Sequence, residues 1–141
     1  MVLHGPNLNL LGAREPGIYG RATLADIDRM LAELARRRGA TIECRQSNIE
    51  GELVTYIQEA AGLAQAILIN PAAYTHTSVA IADALRAVGL PAVEVHLSDV
   101  GAREEWRRQS VIRDLCVASV VGKGVEGYRE ALTRLRQELE P

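Results

Sequence analysis

The chain has 141 residues, with 16 basic and 18 acidic side chains and a formal net charge of −2. That balance leaves no cationic footprint for nucleic acid or an anionic membrane surface. Hydrophobic residues make up 48% and aromatics 4%, with no Phe, so one domain over 1–141 has to pack an aliphatic core. No apolar run approaches the roughly 18 residues of a membrane span. Met1 leads straight into VLHGPN without a signal peptide, and the chain reads as cytoplasmic. Cys44 and Cys116 sit far apart in apolar stretches and read as buried free thiols of a reducing compartment.

Strand and helix alternate along the chain. MVLH is a short first strand running into GPN, and residues 7 to 22 form a loop. A strand beginning at Met1 is shorter than this pattern leads one to expect, which points to a start upstream or to a few missing residues. Thr23 followed by Asp26 is a capping box with Asp in place of Glu. Leu24, Ile27, Leu31 and Leu34 then share one helix face, Arg36 to Arg38 suit its C-terminal dipole, and Gly39 stops it. ATIECRQS is a second strand. Residues 50 to 63 make a second helix with Leu53, Val54, Ile57, Ala60 and Ala61 inward. AILIN is a continuous apolar run, as expected of a central strand covered on both faces. The loop PAAYTHTS leads into a helix over about 78–88, PAVEVHLS is a fourth strand and CVASVVG a fifth. A last helix near 124–139 places Val125, Tyr128, Leu132, Leu135 and Leu139 on one face.

Five strands alternating with helices predict a flavodoxin-like, doubly wound α/β fold: a five-stranded parallel sheet between two helical layers. Sites in that architecture lie beyond the C-terminal ends of the strands. GPNLN, SNIEG, NPAAYTH and HLSD follow those ends and should converge on one crevice.

Turn chemistry accounts for Asn7, Asn9 and Asn70 as readily as function does. His76 reads equally well as an ordinary loop histidine. His96 is different, because it ends a β-branched strand two residues after Glu94, and period-2 alternation puts both on one face. His4, His76 and His96 are the only histidines, and none shows HxH, HxxxH or CxxC spacing, so no metal is predicted. GxGxxG and the P-loop pattern are absent. NLNLLGARE replaces the Ser/Thr/Gly-rich loop of an FMN binder. The loop REPGIYGR holds two large side chains, Arg14 and Tyr19, between glycines. Amides, a histidine, an Arg and a Tyr, without a Ser or Cys nucleophile beside a base, suit proton transfer.

The blocks GPNLNLLGAREPGIYG, RQSNIEGELV, INPAAYTHTSVAIADAL, VEVHLSDVGAREEWRRQS and GKGVEGYREAL resemble the type II 3-dehydroquinate dehydratases, in that family's order and over essentially the whole chain. The resemblance implies dehydration of 3-dehydroquinate to 3-dehydroshikimate by anti elimination through an enolate, with neither metal nor organic cofactor. It implies that Tyr19 is the base, Arg14 its activator and His96 the general acid, and that Asn7 orients a water near the enolate. Asn70, His76, Leu97, Ser98 and Arg107 match substrate-binding positions. Asp83 matches one reaching into a neighbouring subunit, and Glu94 one that supports the histidine. It further implies a homododecamer acting on a small-molecule substrate.

Elementary chemistry is consistent with those roles. A tyrosine with a pKa of about 10 is a poor base at neutral pH, and a close cation favours the tyrosinate. The departing hydroxyl needs a proton, which a histidine titrating near 6.5 can supply. Four positions depart from the family pattern: His4 and Asp99 where Asn is usual, Ile49 where His is usual, and Gly101. His4 and Ile49 adjoin crevice segments and are expected to alter hydrogen bonding, pH profile or substrate. Asp99 puts an acid near a predicted anion site. His4, Ile49 and Asp99 motivate one alternative, a homologue acting on a different cyclic polyol acid; an alternative of a different class is a non-catalytic small-molecule or FMN-binding module. Gly12, Gly17 and Gly20 read as hinges of a lid over about 12–21. That lid is expected to be open without ligand, with Tyr19 far from His96.

Overall fold

The computed structural model describes every residue except 14, 16, 18 and 19. Its five strands are β1 (Val2–His4), β2 (Cys44–Gln46), β3 (Ile67–Asn70), β4 (Ala92–His96) and β5 (Ala118–Val121). They form one parallel sheet in the order β2-β1-β3-β4-β5. This is the expected doubly wound fold, and its strand order reverses between β1 and β3. The second strand is shorter than the eight apolar-leaning residues of ATIECRQS. Among the described residues its ladder partner is β1, and that pairing runs from Val2↔Cys44 to His4↔Gln46.

Four helices cover the sheet: α1 (Leu24–Arg37), α2 (Glu50–Leu63), α3 (Val79–Val88) and α4 (Val125–Leu139). The α1 N-terminus closes as predicted. Asp26 N–H donates to Thr23 Oγ1 at 3.1 Å, and Thr23 N–H donates to Asp26 Oδ2 at 2.9 Å. Gly39 follows this helix with φ +71°, the left-handed region a side chain disfavours.

Strand alternation divides the interior into two cores. Val2, Leu68, Val93, Val95 and Val120 pack with Ile27 and Leu31 of α1 and Tyr128, Ala131 and Leu135 of α4. Leu3, Ile67, Ile69 and Ala92 pack with Leu53, Ile57 and Ala60 of α2 and Ile81 and Leu85 of α3. Each fully buried aliphatic side chain contributes about 1.5–3 kcal/mol of transfer free energy. One predicted inward position fails. Ala61 is exposed, because the buried stripe of α2 follows Leu53, Ile57 and Ala60 and one further residue turns about 100° away. Leu139 is 43% exposed and borders a hollow of about 670 Å³ at the N-terminal edge of the sheet, alongside Ala35, Arg38, Ile42 and Leu63. Cys44 and Cys116 are free but only half-buried, against the expectation of full burial. Among the described residues no helix is long and apolar enough to cross a membrane.

Candidate active site

The strands end on a cavity of about 150 Å³ bordered by Asn7, Asn70, His76, His96, Leu97, Ser98 and Arg107. Segments far apart in sequence meet there because each follows a neighbouring strand end. Gly5 N–H donates to the Asn70 carbonyl at 2.8 Å, which ties the exits of β1 and β3 together. A methyl group on Gly5 would lie 2.5 Å from the carbonyl carbon and oxygen of Pro71, so only glycine permits that approach.

Asn7 has φ +68°, a left-handed conformation that asparagine tolerates. Its backbone N–H donates to Asn48 Oδ1 at 3.0 Å, while its side chain does not cap the turn Leu8–Leu10 that it precedes. Turn chemistry therefore explains the backbone of Asn7 and leaves its amide to the cavity. Asn70 is 3% exposed. Its Oδ1 accepts from Ala72 N–H at 3.1 Å and its Nδ2 donates to the Tyr128 hydroxyl at 3.0 Å. Ala72 itself sits at φ +52°, a strained conformation for a non-glycine residue beside the cavity.

Glu94 and His96 share a face of β4, as alternation requires. His96 Nε2–H donates to Glu94 Oε1 at 2.6 Å, and Glu94 is fully buried. Ser119, the register partner of Glu94 on β5, donates to Oε2 at 3.2 Å, and Arg113 Nε lies 3.7 Å from the same oxygen. Burial alone would push the Glu94 carboxyl up. The hydrogen bond and charge of His96, the Ser110 hydroxyl and the Arg113 guanidinium outweigh it and hold the carboxyl below the usual range. Glu94 is therefore an anion under His96.

His76 Nδ1–H donates to the Gln109 carbonyl at 2.6 Å, which fixes its tautomer. Its ring meets Trp106 edge-on, with centroids 5.9 Å apart. The Arg107 guanidinium stacks 4.2 Å from the Trp106 centroid. Arg107 Nε is buried without a hydrogen bond, although a Glu104 oxygen lies 3.0 Å away. Arg103 also borders the cavity and was missed; a second basic residue in the segment after β4 was the available signal.

Asp83 does not reach this cavity. It is exposed on α3 and paired with Arg86 at 3.0 Å. Arg14 and Tyr19 lie outside the described residues. Asp99 does not border the cavity either, since its Oδ1 accepts from Gly101 N–H at 3.0 Å and caps the turn Val100–Ala102. Ile49 is 57% exposed at the start of α2. Among the described residues one group of metal-ligand types is close together, His4, Asp28 and Cys44. His4 Nε2–H already donates to Asp28 Oδ1 at 2.8 Å. Burial, then the Asp28 charge, push the Cys44 thiol up to about 12. Burial, then Glu94, push Cys116 to about 12 as well, so neither is a thiolate nucleophile at neutral pH.

Fold and site together define a flavodoxin-like protein with a polar, histidine- and amide-lined cavity at its β1/β3 crevice. The profile of the family described as Dehydroquinase class II matches residues 1–136. A 3-dehydroquinate dehydratase of Geotalea daltonii is 57% identical over 91% of this chain and 89% of its own. A catabolic 3-dehydroquinase of Aspergillus flavus is 50% identical over 99% of this chain and 93% of its own. The crystal structure of a type II dehydroquinase from Butyrivibrio crossotus superposes with a TM-score of 0.93 at 44% identity, covering 96% of this chain and 94% of that one. The chain belongs to the class II dehydroquinase family.

Proposed function

We propose that this chain is a 3-dehydroquinate dehydratase, a hydro-lyase that removes water from 3-dehydroquinate to give 3-dehydroshikimate. The observation that carries the reading is the anionic Glu94 beneath His96 at the mouth of a cavity bordered by Asn7, Asn70 and Arg107. The proton removed lies next to a ketone, so its loss leaves an enolate. Tyr19 is the proposed base. Arg14, on the same loop, favours its ionised form, and lowering a tyrosine pKa by about 2 units corresponds to roughly 2.7 kcal/mol. The loop over about 12–21 is the proposed lid that brings this pair to the substrate.

His96 then protonates the departing hydroxyl. Glu94 supports this step, because the hydrogen bond it accepts from Nε2–H holds the imidazole ring in one orientation for proton transfer. Asn7, with a bound water, donates to the enolate oxygen as charge develops. Backbone N–H groups of Leu97 and Ser98, with the Asn70 amide, hold the substrate carboxylate. His76 and Arg107, which border the same cavity, are the remaining proposed substrate-binding residues. We further propose a homododecameric assembly in which Asp83 reaches a neighbouring subunit's site, consistent with its exposure on α3.

The direct experiment adds 3-dehydroquinate to the purified protein and follows the ultraviolet band of the conjugated product. Turnover is expected from the parent chain, and Tyr19→Phe is expected to abolish nearly all of it without moving the melting temperature. No turnover at high protein concentration would remove the assignment. Substantial turnover in Tyr19→Phe would mean a different base.

A further inference from the structure

We propose that His4 and Tyr128 are positioning residues, forming with Asp28 a one-way hydrogen-bond chain that fixes which face of the Asn70 amide meets the substrate. The inference rests on the reading of Asn70 as a substrate-binding residue. It concerns a part of the molecule that lies behind the cavity.

His4 and Asn70 are register partners on adjacent strands and face the same core. Between them stands the phenol of Tyr128, contributed by α4 and fully buried, as is His4. The links are Asp28 Oδ1 to His4 Nε2 at 2.8 Å, His4 Nδ1 to the Tyr128 hydroxyl at 3.5 Å, and that hydroxyl to Asn70 Nδ2 at 3.0 Å. The middle link is the longest and weakest.

Donor and acceptor counting gives the chain a direction. The Asp28 carboxylate only accepts, so His4 carries its proton on Nε2. Nδ1 is then a lone pair facing Tyr128. Burial pushes the phenol up, so it remains an O–H and donates to that lone pair. Its oxygen is left as an acceptor for Asn70 Nδ2–H. Asn70 Oδ1 accepts from Ala72 N–H at the other end. Both ends of the amide are thereby assigned, and its second N–H is the group offered to the cavity. A flipped amide would set two donors against each other at Ala72. It would also offer an oxygen where an anionic or carbonyl ligand needs a donor.

Steady-state kinetics on 3-dehydroquinate test this with Asn70→Ala, Tyr128→Phe, their combination, His4→Phe and His4→Asn, each checked for an intact melting transition. Asn70→Ala is expected to raise KM. Tyr128→Phe is expected to raise KM about five-fold, the worth of one neutral hydrogen bond, with a smaller change in kcat. It should add nothing in the Asn70→Ala background, because the residue it positions is gone. His4→Phe should reproduce the Tyr128→Phe effect. His4→Asn, whose amide oxygen can stand near the Nδ1 position, should restore KM. If Tyr128→Phe does not fold, the His4→Phe and His4→Asn pair decides the question. A raised KM in Asn70→Ala alongside an unchanged KM in Tyr128→Phe and His4→Phe overturns the proposal, as do additive effects in the double variant. An unchanged KM in Asn70→Ala overturns instead the reading of Asn70 on which it rests.

Discussion

Replacing Glu94 by Gln keeps the volume and shape of a fully buried side chain while removing its charge. The carboxylate accepts from His96 at 2.6 Å and from Ser119 at 3.2 Å, and faces Arg113 at 3.7 Å. A hydrogen bond to a charged group is worth about 1.5–3 kcal/mol. If that energy serves to hold the His96 ring in its productive orientation, its loss should lower kcat by roughly 10–150-fold. KM should move little, because Glu94 is buried beneath His96 and does not border the cavity. The measurement is the initial rate on 3-dehydroquinate across pH, with a thermal melt to show that the variant folds. A folded Glu94→Gln protein whose kcat stays within two-fold of the parent would refute the coupling of carboxylate to acid. A change confined to KM would refute it equally.

Gly5→Ala would force a methyl group to within 2.5 Å of Pro71, where carbon contacts need about 3.5 Å, so the exits of β1 and β3 must part by roughly 1 Å. We expect a loss of about 1–3 kcal/mol in urea unfolding together with a raised KM, and an unchanged urea midpoint would contradict the close approach. The depressed Glu94 carboxyl also makes a pH statement. Its contribution to stability is complete above the ordinary glutamate value of about 4.3 and is lost as pH falls through the lowered native value. The urea midpoints of parent and Glu94→Gln should therefore converge toward acid pH, and parallel curves would show that the carboxylate is not stabilised in the native state.

Fold legibility followed the strength of the local signal. The capping box at Thr23 and Asp26 and the apolar run of β3 are strong signals, and both elements stand where their patterns put them. The extent of β2 was not legible. A strand's length is set by what it pairs with, and β1 offers only Val2 to His4. The Glu94–His96 pair followed from alternation alone, whereas the roles given to His76, Leu97, Ser98 and Arg107 came only through resemblance. Nothing in the spacing of His4, Asn70 and Tyr128 announces that they meet, since the chain separates His4 from Tyr128 by 124 residues. Asp99 carries a contact the sequence pattern did not announce: its carboxylate accepts from the Gly101 N–H and caps the turn Val100–Ala102.

The division of the interior by the sheet has a consequence for how such a protein can change. Glu94 and His96 are rooted among the residues packed under α2 and α3, whereas Asn70 is braced from the α1 and α4 side. The proposed proton delivery and the proposed ligand orientation therefore draw their support from separate compartments on opposite faces of the sheet. On that reading, substitutions in one compartment can alter the acid while the other leaves ligand orientation unchanged. A lineage, or an engineer, can explore the two properties as nearly independent variables.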